Sequence, residues 1–386
     1  MEILDTVVII VGAGPGGMAT SACLNLLSIP NIVIEREDCC ASLWKKKAYD
    51  RLKLHLAKDI CKLPHMPFPP TAPTYVLRND FIAYLDNYVS QFNIEPFYRH
   101  NVMSAFHDRT HDKWIVHAED MDTGVKRTFM GMFLVVATGI NSQGVIPKID
   151  GMSNFGGTVL HSSQYKNGKI FEDKDVLVVG CGNSGMEIAY DLSNYYARCS
   201  IVVRSPVHVL SKELVKSGMY MMKIFSPKFV DDLIVLISKF MFGNLSKYGF
   251  HRPNKGPFYL KTHTGRSPII DVGTIGKIKK GIIKVVPTIS KVLNEKNIEF
   301  TNGTVKSYAG IVFATGYKST VNTWLQDDGA LFDGNGMPKK DLPNYWKGKN
   351  NLYCVGFSSG GLFGIYKDSI NISQDIKTIF LDMSKQ

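Results

Sequence analysis

Two short glycine-rich runs carry the chemistry most open to reading in this chain. Gly12-Ala13-Gly14-Pro15-Gly16-Gly17 and Gly180-Cys181-Gly182-Asn183-Ser184-Gly185 both spell G-x-G-x-x-G. In such a turn the first glycine reverses the chain, and the second lets backbone N–H groups approach a pyrophosphate. The third lets the following helix pack against the strand, and the N-terminus of that helix stabilises the phosphate charge. Two dinucleotides are therefore expected, and the ends of the next strands separate them. Glu35 closes the first unit with a carboxylate that accepts hydrogen bonds from ribose hydroxyls and repels a phosphate, which suits the ribose of FAD or NAD. Arg204 and Ser205 stand at the matching place in the second unit. A guanidinium beside a hydroxyl matches a 2′-phosphate, so NADPH is expected there.

The elements that must position these residues repeat as well. Thr6–Val11 and Asp175–Val179 are β-branched runs leading into the two turns, Met18–Leu27 and Met186–Leu192 are helix-compatible, and Asn31–Ile34 and Ser200–Val203 read as the next strands. The result is β-turn-α-β twice, with first glycines 168 residues apart. Phe133–Gly139 and Ile311–Gly316 form a second pair, apolar strands ending in Ala-Thr-Gly, where small residues let backbone pass close to a ligand or another strand. The expected fold is α/β with two nested Rossmann-like domains. An FAD-binding domain over 1–168 and 318–386 would hold an inserted NADPH-binding domain over 169–317. A helical and loop insertion is expected at about 212–265. Within it, Met219–Gly243 reads as two short amphipathic helices around Pro227, for packing or as a lid rather than as a membrane anchor.

Composition bounds the remaining possibilities. The 386 residues suggest two or three domains, and 45% hydrophobic with 20% charged residues excludes a disordered or fibrous chain. The seven cysteines follow no CxxC or regular framework, which argues for reduced thiols and against a zinc ribbon or a redox-disulfide flavoenzyme. No metal site is expected. No apolar run approaches the roughly 20 residues of a membrane span. The start MEILD lacks a basic region before its apolar stretch, so it reads as a strand rather than a signal peptide, and the expected compartment is the cytoplasm. The net charge of +11 is concentrated between Arg198 and Lys284, where 16 Lys and Arg face 4 Asp and Glu. Without zinc-finger spacing or an RNA-binding aromatic signature, a phosphorylated cofactor is a better match for this excess than nucleic acid.

Phe155-Gly156-Gly157-Thr158-Val159-Leu160-His161-Ser162-Ser163-Gln164-Tyr165 fits the FxGxxxHxxxY signature of flavin-containing monooxygenases and lies, as in that family, between the two glycine turns. Ser42–Leu56, Val179–Glu187, Gly265–Gly273 and Phe313–Lys318 resemble the plant YUCCA branch more narrowly, and the likeness runs from about Val7 to Asp375. The resemblance implies an FAD- and NADPH-dependent monooxygenase that converts indole-3-pyruvate, a 2-oxo acid, and O₂ to the auxin indole-3-acetate through a C4a-(hydro)peroxyflavin. It places His55 where other monooxygenases carry an asparagine near the flavin, which implies contact with flavin, oxygen or nicotinamide and makes His55 the candidate catalytic residue. It leaves Trp44 either covering the flavin or in the core, and His161 in an organising linker rather than as a base.

Two departures from the branch bear on substrate and turnover. Ile140 follows Ala-Thr-Gly where the branch has Glu, and Ser359 and Gly360 replace its basic residues. Two other readings remain open at this point. One is an N- or S-oxygenating monooxygenase of the same fold. The other is an FAD- and NADPH-binding redox-sensing or interaction protein with little turnover.

Overall fold

Val8, Ile9 and Ile10 are fully buried because the strand that carries them is paired on both edges. In the computed structural model, which describes residues 2–327, 329–339 and 344–383, that strand is the centre of one of two units. The first unit comprises Met1–Lys46, Lys58–Gln143 and Tyr317–Gln386. In it, β1 (Glu2–Val11) leads through the first glycine turn into α1 (Pro15–Leu26) and on to β2 (Asn31–Ile34). After α2 (Arg78–Gln91) come β3 (His100–Asp108), β4 (Lys113–Asp120) and β5 (Lys126–Val136).

These strands form one sheet in the order Leu325–Gln326, β3, β4, β5, β1, β2, with Leu352–Cys354 also on β5. β1 runs parallel to β2 and β5, whereas β4 is antiparallel to both of its neighbours. The parallel centre is a continuous apolar run because it is covered on both faces. The long helix Leu362–Met383 packs beside α1, with Thr20 Oγ1 donating to Ser369 Oγ at 3.4 Å.

The second unit comprises Lys47–Ala57 and Gly144–Gly316. It begins with β6 (Thr158–His161), β7 (Asp175–Val179), α3 (Asn183–Asn194) and β8 (Arg198–Val202). The chain then leaves the sheet through β9 (Val209–Leu210), α4 (Lys212–Met221), α5 (Pro227–Phe242) and α6 (Pro257–Thr264), and returns at β10 (Ile269–Ile270). β11 (Lys284–Val286) and β12 (Gly310–Phe313) complete a five-stranded parallel sheet in the order β11-β8-β7-β12-β6. Ser211 and Ser226 cap α4 and α5 by accepting from Leu214 N and Phe229 N, and Pro227 sits at the first turn of α5, where its missing N–H costs nothing.

The nested α/β fold with two Rossmann-like units is thus present, and its compact units divide the chain differently from the expected domain borders. Residues 144–168 belong to the second unit rather than the first, because β6 pairs with β12 over Thr158–His161 and Gly310–Phe313. Residues 47–57 join them: Asp50 N–H donates to Lys166 O at 2.9 Å, and the Tyr49 ring is buried in that unit's core. The insertion expected at 212–265 is closed slightly outside those limits by the β9–β10 pair.

Candidate functional site

The two glycine turns are the same object built twice. Gly12 and Gly180 both take φ +107°, which L side chains rarely adopt. A Cβ on Gly12 would meet Ala137 O at 2.8 Å, and one on Gly180 would meet Ala314 O at 2.5 Å. The two Ala-Thr-Gly segments therefore run directly under the two turns, and the close partner of their small residues is turn backbone. A Cβ on Gly17 or Gly185 would lie 1.9 Å from the first glycine's carbonyl oxygen, so both third glycines are fixed by helix-on-strand packing.

The second glycines are different. Gly14 (φ −72°, ψ 179°) and Gly182 (φ −68°, ψ −178°) have extended backbones that any residue adopts, and a Cβ on either meets nothing within 4 Å. Neither backbone strain nor the protein's own packing requires glycine at these positions. What does fit is a ligand lying against the backbone. Both also begin helices that lack a side-chain cap and an acidic residue in the first turn, leaving N–H groups and the positive end of the helix dipole for an anion. In the first unit, the Thr138 hydroxyl is buried without a hydrogen-bond partner among the described residues. The residues present therefore fit two dinucleotides.

Glu35, at the end of β2, is 8% exposed and reaches back to the first turn. Its Oε2 accepts from Ala13 N at 2.6 Å and its Oε1 from Glu37 N at 2.9 Å. Burial pushes its pKa up, against the pull of those two N–H groups. Trp44 is held near the same turn: Ala41 N–H donates to Ala13 O, and Trp44 N–H to Ala41 O. Its indole meets Phe81 edge-on at 4.6 Å and remains partly exposed, while Arg78 Nε donates to its carbonyl.

In the second unit, Arg204 and Ser205 follow β8 at the surface. Burial pushes the Cys181 thiol up, against the smaller pull of the Arg266 and Arg204 charges. Arg266 is a residue that the sequence reading missed. Its Nη2 donates to Pro206 O at 3.0 Å, which fastens it next to Arg204 and Ser205. Asn183 Oδ1 accepts from Ile270 N at 2.7 Å, so that side chain ties the helix start to β10.

His55 lies in the second unit against α3. Its Nε2 is 2.8 Å from Glu187 Oε1, and Tyr49 Oη donates to Glu187 Oε2 at 2.9 Å. Glu187 is 3% exposed, and burial alone would raise its pKa. The hydrogen bond and charge of His55, with the Tyr49 hydroxyl, instead hold it below the ordinary carboxylate range. An ionised carboxylate only accepts, so Nε2 carries the proton, and Nδ1 makes no hydrogen bond among the described residues. The arrangement can orient one ring nitrogen and hold a proton on the other. Glu187 and Tyr49 were also missed, and the visible signal was a pair of carboxylates, Glu187 and Asp191, one turn apart on the buried face of the helix.

His161 uses both ring nitrogens internally, Nδ1 with Ser163 Oγ at 2.9 Å and Nε2 with Gly316 O at 3.0 Å, and burial lowers its pKa. Both of its ring nitrogens are thus engaged within the fold. Tyr165, which ends the same signature, donates to Asp191 Oδ2 at 2.7 Å. Ile140 packs against the first unit's core, and Gly360 is exposed. No cluster of three or more His, Cys, Asp or Glu able to hold a metal occurs among the described residues.

A duplicated dinucleotide-binding unit with a carboxylate at one strand end and cations at the other defines a two-nucleotide oxidoreductase. Residues 5–328 match the flavin-binding monooxygenase-like family. The chain is 49% identical over 376 residues to "Probable indole-3-pyruvate monooxygenase YUCCA10" of Arabidopsis thaliana, covering 97% of this chain and 98% of that one. It is 43% identical to "Indole-3-pyruvate monooxygenase YUCCA4" of Oryza sativa subsp. japonica, covering 97% and 88%. The fold is also that of cyclohexanone monooxygenase from Rhodococcus sp. Phi1, solved bound to NADP+, with a TM-score of 0.75 at 15% identity over 98% of this chain and 85% of that one. The chain belongs to the YUCCA branch of the flavin-binding monooxygenases and is a flavin-dependent monooxygenase.

Proposed function

We propose that this enzyme oxidatively decarboxylates indole-3-pyruvate, with FAD held at Gly12–Gly17 and NADPH at Gly180–Gly185. The overall change is indole-3-pyruvate + O₂ + NADPH + H⁺ → indole-3-acetate + CO₂ + H₂O + NADP⁺. One oxygen atom enters the new carboxylate, the other leaves as water, and NADPH supplies the two electrons. The observation that carries the reading is the 49% identity to an indole-3-pyruvate monooxygenase over almost the full length of both chains. The duplicated turns with open second glycines support it.

Bound flavin, once reduced, supplies the O₂ activation. The chain's own part is to bind and orient. The open face at Gly14 and the uncapped start of α1 receive one pyrophosphate, and Glu35 accepts from a ribose hydroxyl. Gly182 and the start of α3 receive the other, and Arg204 and Ser205, joined by Arg266, select the 2′-phosphate. Glu187 fixes the His55 ring, which presents Nδ1 as the candidate group for orienting nicotinamide, oxygen or substrate.

The test is purified protein with NADPH, O₂ and indole-3-pyruvate, with NADPH consumed and indole-3-acetate formed measured together. Stoichiometric product supports the reading. Turnover only with amines or thioethers would replace it with heteroatom oxygenation, and bound flavin with no turnover on any of these substrates would overturn it.

A further inference from the structure

The insertion in the second unit turns one face of α5 inward and leaves the opposite face uncovered. Val230, Ile234 and Ser238, four residues apart, point in, and Ser238 Oγ donates to Val209 O at 2.7 Å. Asp231 is buried beside them, and its carboxylate accepts from Phe258 N and Tyr259 N at 2.8 and 3.0 Å, which fastens α6 to the same side. The rotation of α5 is thereby fixed, and Phe229, Leu236 and Phe240 form a stripe on its outer side. Ile224 and Phe225 extend the stripe into the α4–α5 connection, where the Phe225 and Phe229 rings lie 5.4 Å apart. Phe240 is 82% exposed and Ile224 81%, and the other three are about half-exposed. Single exposed apolar residues are ordinary, but five along one ridge are not.

Charge says what covers the ridge. Lys223, in the connection, and Lys228 and Lys239, on α5, flank it and are exposed. Against them α5 shows one exposed carboxylate, Asp232, since Asp231 is spent on α6. A second copy seated on this face would bring two lysine fringes together, which is unfavourable. The apolar tips also protrude as a ridge with a basic border, the form of a helix that lies in a lipid interface with its apolar side among acyl chains and its lysines at the headgroups.

We propose that α5 and the α4–α5 connection form a docking surface for an anionic membrane, with α5 lying in the plane of the headgroups. The helix does not span: among the described residues, no helix is long and apolar enough to cross a membrane.

The test is co-sedimentation of the purified flavin-loaded enzyme with vesicles of phosphatidylcholine alone and with about 30% phosphatidylserine. Binding should rise with phosphatidylserine and fall at high salt. Ile224→Asp with Phe240→Glu should lower binding about tenfold or more, with flavin content and melting temperature unchanged, because both side chains point into solvent. Lys223→Glu with Lys228→Glu should remove the preference for phosphatidylserine. Should the first pair lose flavin, Phe240→Ser serves in its place. Absence of binding to either vesicle, or equal binding by wild type and variants, overturns the proposal. A wild-type dimer that Phe240→Glu dissociates would assign the ridge to a second copy and overturn it as well.

Discussion

Gly14 and Gly17 lie three residues apart in one turn, yet replacing each with alanine should do opposite things. At Gly17 the new Cβ would sit 1.9 Å from Gly12 O, an overlap with backbone that no side-chain rotation relieves. Gly17→Ala should therefore cost about 3 kcal/mol or more and yield little folded protein. At Gly14 the Cβ meets nothing within 4 Å, and the backbone is already extended. Restricting the unfolded chain is worth about 0.4–1 kcal/mol. Alanine at a helix N-cap loses a similar few tenths to 1 kcal/mol relative to glycine. The two nearly cancel, so the flavin-stripped Gly14→Ala protein should melt within about 2 °C of wild type.

Flavin is where the variant should fail. A methyl group in the space taken by a pyrophosphate costs about 1–3 kcal/mol, or roughly a ten- to hundredfold rise in Kd, and Gly14→Val should be colourless. The assay pairs flavin absorbance and titration with melting of the stripped protein. A stable Gly14→Ala that binds FAD as wild type does would show that the pyrophosphate lies elsewhere, and the assignment of the first turn would fall.

Arg204→Ala should weaken NADPH by about 1.5–3 kcal/mol and leave NADH nearly unchanged, measured by KM for each; equal losses would place Arg204 on the pyrophosphate or in the fold. Arg266→Ala should show the same selectivity with a smaller loss, because part of its guanidinium is already engaged by Pro206 O. Glu187→Gln removes a carboxylate whose folded pKa lies below its ordinary value, so it should lose about 1–3 kcal/mol near neutral pH. Its deficit should shrink as pH falls through the folded pKa of Glu187, where the wild type loses the same contribution, and denaturant midpoints against pH check the sign. Asp368 behaves oppositely: burial raises its pKa to about 6, with Tyr345 donating to it. Ionising it destabilises the fold as pH rises from about 4 to 6, so Asp368→Asn should stabilise by about 1–2 kcal/mol at pH 8 and by nothing at pH 4.

The glycine turns were legible because their demands are local. A positive φ at Gly12 and Gly180 and a close approach at Gly17 and Gly185 concern residues within one turn, and sequence spacing reports them directly. A break between two helices at Pro227 was legible for the same reason, though not that Pro227 itself begins the second one. The domain borders were not, because residues 144–168 are claimed by pairing to Gly310–Phe313, a register no local pattern reveals. Glu187 and His55 stand 132 positions apart, and Arg266 meets Pro206 across 60, so their pairing exists only after folding. Met219–Gly243 read as amphipathic from its periodicity alone. Periodicity places a stripe on a helix but does not say whether a second stripe is covered.

The differences between the two units bear on function more than their likeness does. Both turns share φ +107° at the first glycine and the 1.9 Å approach at the third, so both offer an anion the same cradle. Backbone geometry alone cannot tell one dinucleotide from another. That discrimination falls to the side chains after β2 and β8, and these carry opposite charges. Glu35 is buried and already accepts two backbone N–H groups, so a phosphate placed against it would meet a carboxylate with no water to screen the repulsion. Arg204 is exposed, and Arg266 is tied to Pro206 two residues further on, so a ribose lacking a 2′-phosphate would forgo a charge-assisted contact to a guanidinium. On the proposed assignment each unit favours its own dinucleotide and works against the other's, a combination that sharpens specificity. Exchanging Glu35 for Arg, or Arg204 for Glu, should accordingly weaken the resident nucleotide without recruiting the other, because the neighbours Ala13 and Arg266 are set for the original charge.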